Sequence, residues 1–452
     1  MSNYTTLVKK YDVPVPRYTS YPTVPHWQVK NFSVNEWKEK LKIAFDASNT
    51  AKGISLYLHL PFCESLCTYC ACNTRITKNH KVEDKYIHAL LEEWKIYKAI
   101  FGGTVLLREL HVGGGTPTFF SPQNLHRLLT SILEGVLLHP QFEFSLEGHP
   151  NNTMDEHLEV LQQCGFKRIS FGVQDLSEKV QKAIHRIQPF ENVKRVVEQS
   201  RARGFESISF DLVYGLPFQT PESVEDTMKQ VLSLRPDRLS FYSYAHVPWL
   251  KPGQRGYEDA DLPGDVRKRS LYETGRNMLT NAGYREIGMD HFALPHDTLA
   301  TAQAEGKLHR NFMGYTTTHT DMLIGLGASS ISETMYGYAQ NEKSVEDYEA
   351  LVAEGSLPIV KGHLQEGEDA LRKQVILAIS CQGFVPYSLL QPLFTDEVES
   401  QLEMMQNEGL ILLQEEGLRV ISLGKTFIRN ICSVFDKYRV AVPGEQLFSK
   451  AI

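Results

Sequence analysis

The chain has 452 residues, 42% hydrophobic and 22% charged, with a formal net charge of −7. That length exceeds one average domain, and the balance is that of a globular protein rather than a disordered or fibrous one. The acidic excess lies wholly in the last quarter, where Glu346–Ile452 carry 9 Lys+Arg against 16 Asp+Glu, and it argues against a general nucleic-acid binder, which needs a basic footprint.

In chain order, residues 1–50 read as an irregular arm. Its opening, MSNYTTLVKKYDVPVPRYTS, lacks the apolar core of a signal peptide. Four prolines in VPVPRYTSYPTVPHW forbid regular helix, and one short helix follows around Val34–Ser48. From Ile54 onward, apolar or β-branched runs at 54–60, 109–113, 142–148, 168–173, 207–215 and 238–244 alternate with helical stretches, such as Val82–Ile100, Ser121–Glu134, Met154–Cys164, Phe190–Ala202 and Pro221–Ser233. Such alternation implies right-handed βαβ units and a parallel sheet. Six units are fewer than the eight of a closed barrel. The expected fold is therefore α/β, a partial (β/α)6 barrel over 51–345, with the 1–50 arm before it. A mainly helical domain over 346–452 follows, and its segment GLILLQEEGLRVISLG (409–424) makes it look like a winged helix. No apolar run approaches the ~18 residues of a membrane helix, so a cytoplasmic chain with neither membrane nor nucleic acid as partner is expected. No heptads or large repeats point to assembly, and a monomer is expected.

Of seven cysteines, Cys164, Cys381 and Cys432 stand alone and read as small buried apolar residues. The other four crowd into Cys63-Glu-Ser-Leu-Cys67-Thr-Tyr-Cys70-Ala-Cys72, just after the first expected strand. Strand ends at that side of a parallel sheet are where sites are built. Thiolates so spaced bind either zinc or an iron–sulfur cluster. Val112-Gly113-Gly114-Gly115-Thr116-Pro117-Thr118 follows the second strand, where a glycine run permits close backbone approach to a ligand. The dinucleotide spacing G-x-G-x-x-G is missing.

The C-x-x-x-C-x-x-C spacing, with aromatic Tyr69 before the last cysteine, resembles the signature of the radical S-adenosylmethionine superfamily. More narrowly, PRYTSYPT (16–23), LHLPFCESLCTYCACN (58–73), HVGGGTPT (111–118), FGVQD (171–175), DLVYGLPFQTPES (211–223), YAHVP (244–248), GMDHFALP (288–295), LHRNFMGYTT (308–317), RNICSVFDKY (429–438) and the closing FSKAI occur together. In that order they resemble the oxygen-independent coproporphyrinogen III oxidases over essentially the whole chain.

The resemblance implies a 4Fe–4S cluster held by Cys63, Cys67 and Cys70, with the fourth iron open to S-adenosylmethionine. It implies that a 5′-deoxyadenosyl radical drives oxidative decarboxylation of two propionates of coproporphyrinogen III to vinyl groups, giving protoporphyrinogen IX for heme biosynthesis. An electron donor of flavodoxin or ferredoxin type and an electron acceptor are implied partners. Carried over position by position, Tyr57, Tyr69, Gly114, Gly115, Thr116, Glu147, Gln174, Arg186, Asp211, Ala245 and Ile331 correspond to cofactor contacts. Tyr57 and Arg17 join the three cysteines as candidates for the reaction itself. Arg186 suits the cofactor's methionine carboxylate, and a strand-end carboxylate can accept its ribose hydroxyls. The acidic arms of the substrate point to Arg17, Tyr18 and Tyr21 on the arm, and to His309, Arg310 and Asn311. Cys72 is expected beside the cluster rather than on it. One departure stands out: Glu147-Gly148-His149-Pro150 has histidine where the family carries an acid.

Two rival readings remain at this level. A heme-binding chaperone of related sequence keeps the cluster but usually lacks the PRYTSYPT arm and the final C-x-C. A regulator using the winged-helix-like part would have to bind DNA against the chain's negative charge.

Overall fold

The computed structural model describes residues 2–439 together with Phe448 and Lys450; of the closing FSKAI, Ser449, Ala451 and Ile452 lie outside the described residues, as does the 440–447 part of the expected last domain. The chain packs as two units: Gln28–Ala282 with His319–Leu364, and Met1–Trp27 with Gly283–Thr318 and Gln365–Ile452.

The larger unit is built on the six expected parallel strands: β1 (Ile54–Leu60), β2 (Leu106–Gly114), β3 (Leu137–Gly148), β4 (Arg168–Gln174), β5 (Ser207–Tyr214) and β6 (Arg238–Ser243). Each is parallel to its neighbour. Helices Val82–Phe101, Pro122–Leu133, Asp155–Gln163, Phe190–Ala202 and Pro221–Leu234 connect or follow them. Caps mark their ends: the Ser121 side chain accepts from Asn124 N, and left-handed Gly102 closes the Val82–Phe101 helix.

Four strands extend this sheet beyond expectation. β7 (Met322–Leu326) runs parallel on the free side of β1, and β8 (Ile331–Thr334), β9 (Gly337–Asn341) and β10 (Ile359–Leu364) continue antiparallel from it. Within the unit the order is β10-β9-β8-β7-β1-β2-β3-β4-β5-β6. The sheet is open, a partial barrel as anticipated.

The chain-order division at 50 and 345 is not the division that packing makes. Helix Val34–Ser48 buries Trp37, Leu41 and Phe45, and Phe45 stacks on Phe101 at 4.4 Å, which fixes it to the larger unit. Residues up to Leu364 stay there because β10 pairs with β9.

In the smaller unit the arm is core rather than irregular wrap. Residues Ser2–Tyr11 form a helix, since the prolines that forbid one begin only at Pro14. Leu7, Tyr11, Tyr18 and Tyr21 pack into one apolar cluster with Ile376, Ile379, Leu402, Phe427 and Ile431. The C-terminal part has the winged-helix-like form expected: helices Asp369–Gln382 and Asp396–Asn407 flank a small antiparallel sheet in which Gly417–Val420 lies between Phe384–Pro386 and Ile411–Gln414.

Candidate cluster and cofactor site

The inner face of the barrel carries a polar row because strands β1 to β6 place a polar or small residue at alternate positions. Register aligns Tyr57 with His111, His111 with Ser145, Glu147 with Ser170, and Asp211 with both Gly172 and Ser240. The Tyr57 and His111 rings stack at 5.9 Å. His111 Nε2 lies 3.2 Å from Glu147 Oε1, and its Nδ1 lies 2.7 Å from Ser145 Oγ. Ser170 Oγ donates to Asp211 Oδ2 at 2.9 Å. Tyr57 Oη is 3.0 Å from His59 Nδ1, whose Nε2 is 3.0 Å from the Asn73 carbonyl. A carbonyl only accepts, so Nε2 carries the proton and Tyr57 donates to Nδ1. Burial lowers the His59 pKa, which keeps that ring neutral.

The two carboxylates differ. Burial pushes Glu147 up, but His111 and the Gly114 N–H, 3.3 Å from Oε2, outweigh it and bring its pKa below the ordinary value. Glu147 keeps 45% of its side chain open to a ligand. Asp211 is raised to about 6, first by burial and then by the charge of Glu147.

The cysteine loop begins at the short strand Phe62–Cys63, paired with Arg75–Ile76. Its ties are to the glycine run. Gly115 N donates to Leu60 O at 2.9 Å, Thr116 N to Phe62 O at 3.0 Å, and Thr116 Oγ1 lies 3.2 Å from Cys63 Sγ. A Cβ on Gly115 would sit 2.6 Å from Pro61 O and 3.0 Å from Cys63 Sγ, and Gly114 holds φ +121° with the Leu60 carbonyl 2.9 Å from where its Cβ would be. Only glycine lets these two loops approach each other so closely.

On the other flank, Thr68 N and Oγ1 donate to Ile184 O and Ala183 O, both at 3.1 Å. This brings up Arg186, whose Nη1 lies 3.7 Å from Cys67 Sγ and whose Nη2 donates to Gly172 O at 2.6 Å. Gln174, at φ +65°, shares that corner: a Cβ on Gly172 would meet its amide and the Arg186 guanidinium. Arg186 Nε is buried without a partner, and among the described residues no carboxylate pairs with this guanidinium. His149, at the family's acidic position, has its pKa pushed down to about 3 by burial and by Arg186, so it stays neutral there, and an imidazole, unlike an acid, offers the guanidinium no negative charge. The orphaned donor fits a ligand bearing a carboxylate.

Cys63, Cys67 and Cys70 line one loop. Cys70 is brought down to about 6, chiefly by a hydrogen bond from Cys72, and that bond raises Cys72. Burial lifts Cys63 to about 11. Among the described residues no three His, Cys, Asp or Glu side chains gather as tightly as a single ion requires. A four-iron cluster spreads its thiolates wider than one ion does.

Tyr69 packs against Val180, Ile184, Val213, Leu216, Tyr244 and Tyr257, and Ala245 leaves the end of β6. Ile331 starts β8, its backbone pressed on Gly325, the β7 residue in register with Tyr57. These residues, with Tyr57, Gly114, Gly115, Thr116, Glu147, Gln174, Arg186 and Asp211, all belong to the larger unit.

The smaller unit holds the rest. Arg17 pairs with Asp290 at 2.7 Å. The Tyr18 hydroxyl donates to Asp436 Oδ2 at 3.0 Å, and the Tyr21 hydroxyl accepts from Lys437 N at 3.1 Å. Both tyrosines are nearly fully buried, so the structure commits their hydroxyls to the protein itself. Arg310 lies over the Tyr315 ring at 4.6 Å, on the strand pair His309–Asn311 and Gly314–Thr316. Sequence reasoning missed His59, His111, Ser145, Ser170 and Ser240. The signal for most of them was present in the polar alternation of FEFSLEG, RISFGVQ, SISFDL and RLSFYS.

An open parallel barrel with three cysteines on the loop after its first strand and a glycine run after its second defines a radical S-adenosylmethionine enzyme. The model of the radical SAM superfamily matches residues 57–231. The oxygen-independent coproporphyrinogen III oxidase of Pseudomonas aeruginosa is 37% identical, covering 99% of this chain and 98% of its own. That of Helicobacter pylori strain J99 is 39% identical, covering 98% of each. The solved coproporphyrinogen III oxidase of Escherichia coli superposes with a TM-score of 0.88 at 37% identity, over 96% of this chain and 98% of the other. The chain belongs to the oxygen-independent coproporphyrinogen III oxidases. Its cofactors are a 4Fe–4S cluster and S-adenosylmethionine, which settles the choice between zinc and iron–sulfur.

Proposed function

We propose that this protein converts coproporphyrinogen III to protoporphyrinogen IX without oxygen, as a step of heme biosynthesis. Each of two propionates loses a β-hydrogen atom, carbon dioxide and one electron to become a vinyl group. The observation that carries the reading is the cradle of Gly114–Thr116 closed on the cysteine loop, inside a chain alike from end to end to enzymes named for this substrate. Bound there, the cluster and S-adenosylmethionine supply a carbon radical able to take that hydrogen.

Cys63, Cys67 and Cys70 hold the cluster, and Thr116 steadies Cys63. Arg186 receives the methionine carboxylate on its unpartnered edge. Asp211 accepts ribose hydroxyls, while Glu147, fixed by His111 and Gly114 N, presents a charged carboxylate to the cofactor. Tyr57, Tyr69, Gln174, Ala245 and Ile331 wall the cleft and exclude water. Arg17, on the arm, and Arg310 meet substrate carboxylates; support for Arg310 is its burial with Nε and Nη1 lacking partners.

A donor of flavodoxin or ferredoxin type and a separate acceptor exchange electrons with a monomeric enzyme. All seven cysteines are free, in keeping with a reducing cytoplasm. Among the described residues no helix is long and apolar enough to cross a membrane.

Anaerobic incubation with reductant, S-adenosylmethionine and coproporphyrinogen III tests the reading by mass spectrometry. Loss of two carboxyl groups with matching 5′-deoxyadenosine is expected. Deoxyadenosine without vinyl product would overturn the substrate.

A further inference from the structure

A buried glutamine outside every motif reaches two of the proposed cofactor positions at once. Gln254 is 1% exposed and sits in the short 3-10 turn Pro252–Gly256. Its amide spends itself on backbone from two other segments. Nε2 donates to Ala245 O at 3.2 Å and to Tyr69 O at 3.4 Å, and Oε1 accepts from Val247 N at 2.6 Å. Ala245 and Val247 belong to the loop leaving β6, whereas Tyr69 lies between Cys67 and Cys70.

The turn is shaped to lie against the cysteine loop. A Cβ on Gly253 would stand 3.4 Å from Leu66 Cδ2 and 3.6 Å from Thr68 O, and one on Gly256 would stand 3.7 Å from Thr68 Cγ2. The turn carrying Gln254 thus lies within ordinary contact distance of the loop it clips. On the opposite flank Thr68 ties the same loop to Ala183 and Ile184. The cysteine loop is thus held from both sides, and Gln254 supplies the side facing β6.

We propose that Gln254 is a positioning residue for S-adenosylmethionine: it sets the spacing between the Tyr69 backbone and the Ala245–Val247 loop, and so the width of the cleft that receives the cofactor. It touches neither cofactor nor substrate itself. Only an amide satisfies all three partners, because the two carbonyls need a donor and Val247 N needs an acceptor. A carboxylate keeps the Val247 bond but turns a negative oxygen toward two carbonyl oxygens. A methionine keeps the volume and makes none of the bonds.

The inference rests on the cofactor site proposed above, and the test separates the two. Gln254→Met and Gln254→Glu are reconstituted anaerobically beside wild type and Arg186→Met. Iron content, S-adenosylmethionine affinity by calorimetry, and the electron paramagnetic resonance spectrum of the reduced cluster with and without cofactor are measured. Both Gln254 variants are expected to load about four irons, as a cluster with three intact thiolates does. Gln254→Met should lose about tenfold in affinity, equivalent to about 1.4 kcal/mol, and Gln254→Glu should lose more. The spectral change on adding cofactor should be altered in both, a readout that loss of general stability does not move.

Wild-type affinity and an unaltered spectral change in both variants, with Arg186→Met weakened, would overturn the role of Gln254 alone. Loss of iron from both variants would overturn it as well, making the residue a support of the cluster loop. Unchanged affinity in Arg186→Met would instead bring down the cofactor site on which the inference stands.

Discussion

Asp211→Asn should stabilise the cluster-loaded, cofactor-free protein above pH 6 while weakening its hold on S-adenosylmethionine. Asp211 is raised from 3.8 to about 6 by burial and by Glu147. The folded protein therefore binds a proton that the unfolded chain releases between those values, and stability falls as pH climbs through the window. By pH 7.5 the ionised carboxylate costs up to about 3 kcal/mol, at about 1.4 kcal/mol per pH unit. Asparagine keeps the shape and can still meet Ser170 Oγ, without the charge. The variant's melting temperature should exceed wild type by a few degrees at pH 7.5, and the difference should close toward pH 4. Cofactor affinity should drop in parallel, since the amide is a weaker acceptor for ribose hydroxyls. Anaerobic calorimetry at a series of pH values reads both. A variant less stable than wild type at every pH would refute the raised carboxylate.

Replacing Cys63, Cys67 or Cys70 by alanine should abolish the brown absorbance of the reconstituted cluster, while Cys72→Ala, which removes only a donor to Cys70, should retain about four irons by analysis. Gly115→Ala should lower cluster loading several-fold, because its Cβ would fall 2.6 Å from Pro61 O and 3.0 Å from Cys63 Sγ. Tyr18→Phe should cost about 1–3 kcal/mol in denaturant unfolding by stripping a buried partner from Asp436, and should leave the substrate KM unchanged. A raised KM at full stability would return the arm tyrosine to the substrate.

The six strands of the barrel were legible because short apolar or β-branched runs recur there in alternation with helical stretches. The extension β7–β10 was not. Its strands are short, its turns are glycine-broken (IGLGASSISETMYGYAQNE), and antiparallel pairing leaves no βαβ rhythm to detect. The arm misled for a related reason. Prolines mark where helix stops but not what the segment packs on, and Leu7, Tyr11, Tyr18 and Tyr21 find their core among residues more than 350 positions away. The cysteine and glycine motifs exposed the proposed cofactor loops, since each is a contiguous string. His111 and Gln254 act through partners set by register and by a remote turn. Fully buried parallel strands ordinarily read as continuous apolar runs, and serine, glutamate and aspartate at alternate positions of β3–β6 mark the inner face proposed to serve the cofactor.

The same polar row makes a last prediction about binding itself. Glu147 is held charged by His111 and Gly114 N, while Asp211 is kept half-protonated near pH 6 by burial and by that neighbouring charge. S-adenosylmethionine brings a sulfonium, and its carboxylate is proposed to go to Arg186, away from this pair. A cation arriving near Glu147 and Asp211 offsets the repulsion between them and lowers the Asp211 pKa. Binding at pH 6 should therefore release up to about half a proton, and affinity should fall as pH drops below about 6, approaching tenfold per pH unit at the limit. Calorimetry in two buffers of different ionisation enthalpy should show that release at pH 6 and almost none at pH 8. In Asp211→Asn it should vanish at both. Equal proton release at pH 8, or release that survives in the asparagine variant, would place the titrating group elsewhere and remove Asp211 from the cofactor's surroundings.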